Sequence, residues 1–275
     1  MNRLVLLVFS IALINLLSFA AAERPQDSPK KRVLLLGQSP DGHPRATHEY
    51  MAGMKVLAAC LKQVEQVNPV VLNADAPWTA GPELLADADG AVLFISQGAK
   101  WIQDDPRRFQ AFTKLAERGG GLVVLHWGMG AKEAKYIDGF VNLFGGCHGG
   151  PDRKYKVLED AAVEIPNKSH PVVRGIEPFS LHEEFYYRLK FVKSASDIIP
   201  LLQTDVDGNE ETVCWAWERP NGGRSFGLSG GHFHSNWKRQ EYRRLMAQAV
   251  LWTVRLPIPD NGLAVELSAS VLSLD

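Results

Sequence analysis

The stretch that decides the fold is "GLVVLHWGMG", residues Gly121–Gly130, in which an apolar run stops at a histidine and turns through glycines. The run Gly121–Leu125 predicts a strand buried on both faces, because a strand inside a parallel sheet is apolar at consecutive positions. In many α/β proteins the turn after such a strand presents a nucleophilic serine or cysteine. Here the turn presents His126, so the predicted chemistry belongs to an imidazole.

Outward from this strand, strand and helix patterns alternate through the first half of the chain. Strands are predicted at 32–37, 70–72 and 91–95, and helices at about 47–66 and from Pro106 to Gly119. This alternation predicts an α/β fold with a mainly parallel sheet covered by helices. The second half is rich in strand-like segments, which we expect to add antiparallel strands: 162–165, 184–191, 198–202, 212–217 and 225–228. A last amphipathic helix is predicted at about 237–254.

The first residues have the pattern of a secretory signal peptide. Arg3 precedes an apolar run, Leu4–Leu17, and the small residues Ala20–Ala22 form a cleavage site before Glu23. The run is shorter than the roughly 20 apolar residues that a spanning helix needs. We therefore expect residues 1–22 to be removed on export to the periplasm or the cell exterior. Residues 23–31 are then a polar leader, 32–259 one α/β domain and 260–275 a C-terminal tail.

Composition argues against several classes of protein. The chain has 30 Lys+Arg against 31 Asp+Glu, so no basic surface for nucleic acid is expected. Three cysteines do not make a disulfide scaffold. No nucleotide cofactor is indicated, and after signal cleavage no membrane association is expected. The sequence leaves the oligomeric state open.

Ligands of open α/β sheets bind beyond the carboxyl ends of the strands. The polar and aromatic residues that follow the predicted strands are therefore the candidate site residues: Asp41, His48, Gln97, Trp101, His126, Trp127, His232 and His234. Three separate strand ends thus bring histidine to one rim. Trp101 and Trp127 offer flat apolar faces of the kind that suit sugar rings.

Two kinds of chemistry fit these residues. Imidazoles completed by a carboxylate typically hold a catalytic metal, so His126, His232 and Glu184 are candidate ligands for one divalent ion, zinc or manganese. At most one of His232 and His234 is expected to face the site. The other possibility is acid–base catalysis without a metal, in which His126 works with Glu184 or Asp41.

A cysteine nucleophile is disfavoured. Cys147 lies too far along the chain to replace His126 on the turn after the strand, and it belongs to a glycine-rich segment, Gly145–Gly150. We expect this segment to be a loop in which His148 is exposed. The alternative is a flexible lid that brings Cys147 and His148 over a substrate.

Several motifs together resemble one known family, the ThuA-like proteins, named for trehalose utilisation. They are "RGGGLVVLH" (118–126), "HPVVRGIEPF" (170–179), "EEFYY" (183–187), "FGLSGGH" (226–232) and "LMAQAVLW" (245–252). The resemblance covers about Val33 to Pro259 and is closest to exported members from bacteria that degrade glycans. It departs from the family in His234 and in the Gly145–Gly150 segment.

The resemblance implies a flavodoxin-like, class I glutamine amidotransferase-like three-layer sandwich in which histidine replaces the amidotransferase cysteine. It also implies sugar metabolism alongside oxidoreductases that make 3-keto sugars. By motif position it carries over His126, Glu184 and His232 as catalytic residues.

These observations lead to two functional hypotheses. The first is an exported enzyme, not a glutamine amidotransferase, that acts on a small carbohydrate. Its substrate would be a 3-keto-glycoside, cleaved by hydrolysis or elimination that His126 and Glu184 assist. The second is a non-catalytic sugar-binding or interaction domain with Trp101 and Trp127 as stacking surfaces. Convergence of several imidazoles and a carboxylate on one point distinguishes the two, because a binding module has no need of it.

Overall fold

The computed structural model describes residues 29–194 and 197–274. The expected signal peptide, residues 1–22, lies outside the described residues, as does most of the polar leader. Within those two ranges, no helix combines the length and the apolar character needed to cross a bilayer.

The described residues form twelve strands. Their bounds are β1 Lys31–Gly37, β2 Val67–Asn73, β3 Gly90–Phe94, β4 Gly121–Leu125, β5 Gly130–Ala131, β6 Gly146–Gly149, β7 Lys154–Val163, β8 Phe179–Tyr187, β9 Lys190–Phe191, β10 Ile198–Val206, β11 Asn209–Glu218 and β12 Arg224–Leu228. Seven of them form the main sheet in the order β10-β11-β12-β4-β3-β1-β2. The five strands from β12 to β2 are parallel, and β10 and β11 are antiparallel. The predicted fold class is therefore confirmed.

The same residues also form seven α-helices. They are α1 Tyr50–Leu61, α2 Gly81–Ala86, α3 Gly98–Gln103, α4 Pro106–Glu117, α5 Ile137–Phe144, α6 Gln240–Thr253 and α7 Ala269–Leu272. Helix α1 begins three residues later than predicted because His48 has a positive φ of 52°, which no helix residue adopts. Helix α4 begins as predicted, with the Asp105 carboxylate accepting hydrogen bonds from the first-turn N–H groups of Arg107 and Arg108.

The apolar strands bury both faces. On β1, Val33 and Leu35 pack into the core on the side of α1 and α6, whereas Leu34 and Leu36 pack into the core on the side of α2 to α5. This two-sided burial explains why β1 and β4 are apolar without alternation. The result is three layers, with the sheet between two helical layers.

A two-stranded hairpin, β7–β8, and a small sheet, β5-β6-β9, stand apart from the main sheet. The expectation of an exposed loop or lid at Gly145–Gly150 is wrong, because the segment contains β6 and is buried. Gly145 ends α5 in the left-handed conformation, with φ 83°. Gly146 then lies so close to Trp215 that a Cβ would be 2.7 Å from the indole ring.

The segment after Pro259, expected as a tail, packs against the domain. Val265 is fully buried, and its carbonyl oxygen accepts a hydrogen bond from Arg243 Nε at 3.0 Å. The N–H of Leu263 donates to Gln248 Oε1 at 2.7 Å. These contacts attach the segment to α6.

Candidate active site

His126 follows β4 directly and opens a 3₁₀ turn, His126–Met129. Its φ is 46°, a backbone conformation that a non-glycine residue rarely adopts. The ring is fully buried, and Nδ1 lies 2.8 Å from the carbonyl oxygen of Ser229. Because a carbonyl only accepts hydrogen bonds, Nδ1 carries the proton and Nε2 directs a lone pair at its neighbours.

His48 is held in a similar way from another strand end. Its Nδ1 lies 3.0 Å from Asp41 Oδ2, and the hydroxyl of Tyr50 donates to the same oxygen at 2.7 Å. Burial alone would raise the pKa of Asp41, but hydrogen bonds from His48, Tyr50 and His43 hold it well below its usual range. A carboxylate next to Nδ1 places the His48 proton on that atom. Nε2 of His48 is then unprotonated as well.

Four ligand atoms meet at this point, in what we call the His/Glu cluster: His48, His126, Glu184 and His232. Nε2 of His126 lies 3.0 Å from His48 Nε2, 3.4 Å from His232 Nδ1 and 3.7 Å from Glu184 Oε1. All four atoms lie within 4.8 Å of one another. Ligands about 2.0–2.1 Å from a tetrahedral metal lie about 3.3–3.4 Å apart. The cluster could therefore bind a metal ion.

The imidazoles of the cluster are neutral near pH 7. Burial, followed by the neighbouring His48, holds the pKa of His126 well below its usual range. Burial, followed by His48 and His43, lowers the pKa of His232 to about 4. Burial raises the pKa of Glu184. Neutral imidazole is the form that binds metals and accepts protons.

Glu183 supports the cluster from behind. Its carboxylate is fully buried and accepts hydrogen bonds from the N–H groups of Glu184 at 2.8 Å and of Gly231 and His232 at 2.9 Å each. Asn236 Nδ2 donates a fourth at 3.0 Å. Burial raises the pKa of Glu183 to about 7, against the effect of these hydrogen bonds. One carboxylate thus fixes the backbone of two cluster residues.

The cluster lies at the base of a cavity of about 400 Å³. Six residues that the sequence predicted for the site line it: Asp41, His48, Gln97, Trp127, Glu184 and His232. The structure thus brings residues from four strand ends, and from the hairpin β7–β8, to one point.

Two residues predicted to contact a ligand, Trp101 and His234, do not line this cavity. Trp101 belongs to α3 and is buried under the guanidinium of Arg108, 4.1 Å from its ring. His234 is buried at a different cavity, beside Leu272. Residues two apart on an extended chain share a face, so it is the 3₁₀ turn His234–Lys238 that separates His234 from His232 and from the cluster.

Tyr186 is a site residue that the sequence prediction missed. Its hydroxyl lies 3.0 Å from His126 Nε2, and its ring stacks between His126 at 4.3 Å and His148 at 3.8 Å. The signal was present in "EEFYY", because Glu184 and Tyr186 are two residues apart on a strand and share a face. His148, expected to be exposed, is buried and lines the cavity.

Cys147 has no features of a nucleophile. Its thiol is buried and donates a hydrogen bond to the carbonyl oxygen of Met129 at 3.2 Å. Burial raises the pKa of the thiol to about 12. Since the thiolate is the reactive form, this cysteine is inert near neutral pH.

The fold and the site together define the class of this protein: an α/β domain with a His/Glu cluster at the carboxyl ends of its strands. The sequence matches the ThuA family, described as trehalose utilisation, over residues 32–253. The protein belongs to this family. A search of the curated proteins found no match.

Solved structures show the same fold. A ThuA-like protein from Bacteroides uniformis is 17% identical with a TM-score of 0.62, over 84% of this chain and 94% of that chain. A cytoplasmic protein from Salmonella typhimurium is 14% identical with a TM-score of 0.54, over 81% of this chain and 98% of that chain. A GH42 β-galactosidase from G. stearothermophilus is 8% identical with a TM-score of 0.53, over 83% of this chain and 30% of that chain. At these identities the likeness concerns the fold alone.

Proposed function

We propose that this protein is an exported enzyme that holds a divalent metal in the His/Glu cluster and cleaves a 3-keto-glycoside. The observation that carries the proposal is the 3.0 Å separation of His48 Nε2 and His126 Nε2, beside the carboxylate of Glu184. Export rests on the signal-peptide pattern of residues 1–22.

Two lone pairs at 3.0 Å repel each other unless a proton or a cation lies between them. A shared proton is disfavoured because the Asp41 carboxylate holds the His48 proton on Nδ1, and burial lowers the pKa of both imidazoles. A metal ion between the two nitrogens removes this repulsion. In metal-ligating histidines the other ring nitrogen usually donates a hydrogen bond to a carboxylate or a carbonyl. Nδ1 of His48 has such a partner in Asp41, and Nδ1 of His126 has one in the carbonyl of Ser229. The three imidazole nitrogens favour zinc over manganese and leave the fourth position of a tetrahedral site open, with Glu184 beside it as a base.

A bound divalent ion would supply a Lewis acid for the oxygen of the ketone. The remaining chemistry belongs to the chain. Burial raises the pKa of Tyr186 well above its usual value, so its hydroxyl stays protonated and can donate to a developing enolate. The carboxylate of Glu184 takes the proton from the carbon next to the ketone, and burial strengthens it as a base. Loss of the glycosidic substituent completes an elimination, and addition of water to the product gives net hydrolysis.

A plain sugar-binding domain would use the same cavity but has no use for the cluster. Holding several imidazoles and a carboxylate together in a buried position costs stability, because polar groups lose their hydration. The convergence of His48, His126, Glu184 and His232 therefore supports an enzyme over a binding module.

The test combines metal analysis with turnover. We expect about one zinc per chain in the purified domain, and release of p-nitrophenol from p-nitrophenyl 3-keto-β-D-glucoside but not from the unoxidised glucoside. His126→Ala and His232→Ala should lose both the metal and the turnover. His234→Ala is the matched control, since it removes a buried imidazole outside the cluster. Circular dichroism verifies that each variant is folded.

Two results would contradict the proposal in different ways. If the wild-type protein takes up no zinc or manganese under any loading condition, the proposal of a metal in the His/Glu cluster is wrong. A loaded protein that binds sugars but does not turn over the keto-glycoside would favour the binding module.

A further inference from the structure

One wall of the cavity carries two cations that have no anionic partner among the described residues. Lys132 follows β5, Arg153 lies between β6 and β7, and both line the cavity. Within residues 29–194 and 197–274, no carboxylate lies within ion-pair distance of either side chain. Arg153 Nη1 donates only to the carbonyl oxygen of Gly150, at 3.1 Å. Two positive charges are thus free to meet an anion in the cavity.

The nearby carboxylates are already committed to other groups. Asp152, next to Arg153, pairs with Lys190 at 2.9 Å. Inside the cavity, Asp41 accepts hydrogen bonds from His48 and Tyr50, and Glu184 belongs to the His/Glu cluster. The negative charges of the cavity therefore lie at the cluster, and neither Asp41 nor Glu184 pairs with Lys132 or Arg153.

The charge of Arg153 is directed at the cavity and not away from it. Its guanidinium lies 5.9 Å from the ring of Trp127, which also lines the cavity. It stands close enough to the buried His148 to lower the pKa of that residue, after burial, which is the larger cause. A guanidinium in this position can form two parallel hydrogen bonds to a carboxylate.

Next to these cations stands an unusually exposed aromatic side chain. Tyr155, on β7, is 60% exposed, lines the cavity and meets the ring of Tyr186 at 6.5 Å. An exposed ring at the mouth of a polar cavity offers an apolar face to the C–H face of a sugar. Cations and an aromatic face side by side fit a ligand that is both a sugar ring and an anion.

We propose that Lys132, Arg153 and Tyr155, which we call the cationic wall, select sugars that carry an acidic group, so that the glycoside of a sugar acid is preferred over a neutral glycoside. The acidic group that we assign is a carboxylate, as in a uronic acid. The inference rests on the proposed function in one respect, namely that the ligand of this cavity is a sugar.

The test measures binding without turnover, by isothermal titration calorimetry on the mature chain. The probes are methyl β-D-glucuronide, glucose 6-sulfate and the neutral methyl β-D-glucoside. We expect the glucuronide to bind about tenfold more tightly than the glucoside, equivalent to about 1.4 kcal/mol. Added salt should reduce this preference, because charge pairs open to solvent are screened.

The variants assign the preference to the cationic wall. The double variant Lys132→Met/Arg153→Gln should bind glucuronide and glucoside equally, and Tyr155→Ala should weaken both sugars. Lys114→Met, on the exposed face of α4, removes a lysine away from the cavity and should keep the tenfold preference.

Equal binding of glucuronide and glucoside by the wild type would overturn the inference, as would a preference that survives in the double variant or no sugar binding at millimolar concentration. A stronger preference for the 6-sulfate than for the glucuronide would overturn the assignment of a carboxylate. Turnover separates the two proposals. A uronide preference without cleavage of keto-glycosides would support the cationic wall and contradict the proposed enzyme. Cleavage of neutral keto-glycosides without a uronide preference would support the enzyme and contradict the cationic wall.

Discussion

The cavity holds an unusual share of strained residues. Of the eight non-glycine residues with a positive φ in the described part of the chain, three stand at or under the cavity: His48, Gln97 and His126. Such conformations cost on the order of 1–3 kcal/mol each and persist where the surroundings over-determine them. For the two histidines, hydrogen bonds to Asp41 and Ser229 supply that constraint. The fold thus tolerates strain where imidazoles converge.

Two adjacent glutamates give the sharpest prediction for single residues. Glu183→Gln should lower the free energy of unfolding by about 2 kcal/mol, because an amide NH₂ group would face buried N–H donors wherever it replaces a carboxylate oxygen. Glu184→Gln should cause no such loss, since the Glu184 side chain accepts no hydrogen bond within the described ranges and burial disfavours its charge. Urea denaturation with a chelator present measures both variants.

The two variants should also differ in function. Glu184→Gln should abolish turnover while the protein stays as stable as the wild type. If Glu183→Gln is as stable as the wild type, the four hydrogen bonds to Glu183 do not hold the backbone of the cluster in place.

At the scale of elements, the sequence predicted the strands whose apolar pattern is visible within a single segment. β1, β3 and β4 are apolar throughout because both of their faces are buried, so their existence followed from the apolar runs. Their parallel pairing followed from the alternation of strand and helix patterns. The ends of these strands then located Asp41, Gln97, His126 and Trp127. The local pattern was sufficient here because each of these strands has apolar core on both faces.

The rest depends on contacts between distant segments. β6 is buried by Trp215 and Phe191, far away in the chain, so its glycines resembled a loop. The strand β7 is largely exposed and gave no clean alternation, and it carries Tyr155. Lys132 lies in a connection without any periodic pattern. No rule of local sequence could have brought these residues to one cavity.

The turn that carries His126 depends on a close approach between two backbones. A Cβ built on Gly98, the first residue of α3, would lie 2.1 Å from the carbonyl oxygen of Gly128. Gly98→Ala should therefore push α3 away from the turn and destabilise the protein by about 1–3 kcal/mol, the usual cost of overpacking. Because His126 and Gly128 share the turn, zinc uptake should fall as well.

The matched control is Gly208→Asn in the β10–β11 hairpin. A Cβ there has no neighbour within 4 Å, and asparagine tolerates the positive φ of 78°. Urea denaturation and zinc analysis on both variants decide the matter. Equal stability of Gly98→Ala and Gly208→Asn would mean that α3 and the turn can separate at little cost.

At the scale of the whole molecule, the fold keeps several histidines uncharged. Burial lowers the pKa of His48, His126, His148, His170 and His232, to about 3 for His148 and about 4 for His170 and His232. The unfolded chain protonates such side chains below about pH 6.5, whereas the folded chain does not. Acid therefore favours the unfolded state, and stability present above pH 6.5 is lost as the pH falls towards 4.

His170 lets this linkage be measured outside the cavity, because it packs against Trp252 and its Nδ1 accepts the N–H of Val172 at 3.2 Å. His170→Asn keeps an acceptor there but does not titrate. Between pH 6 and pH 4.5 we expect the free energy of unfolding, from urea denaturation with a chelator present, to fall less steeply in the variant, by about 1 kcal/mol per pH unit. An unchanged slope would mean that this imidazole takes up its proton equally in both states. Acid stability would then depend on the histidines at the cavity, which a bound metal ion also keeps unprotonated.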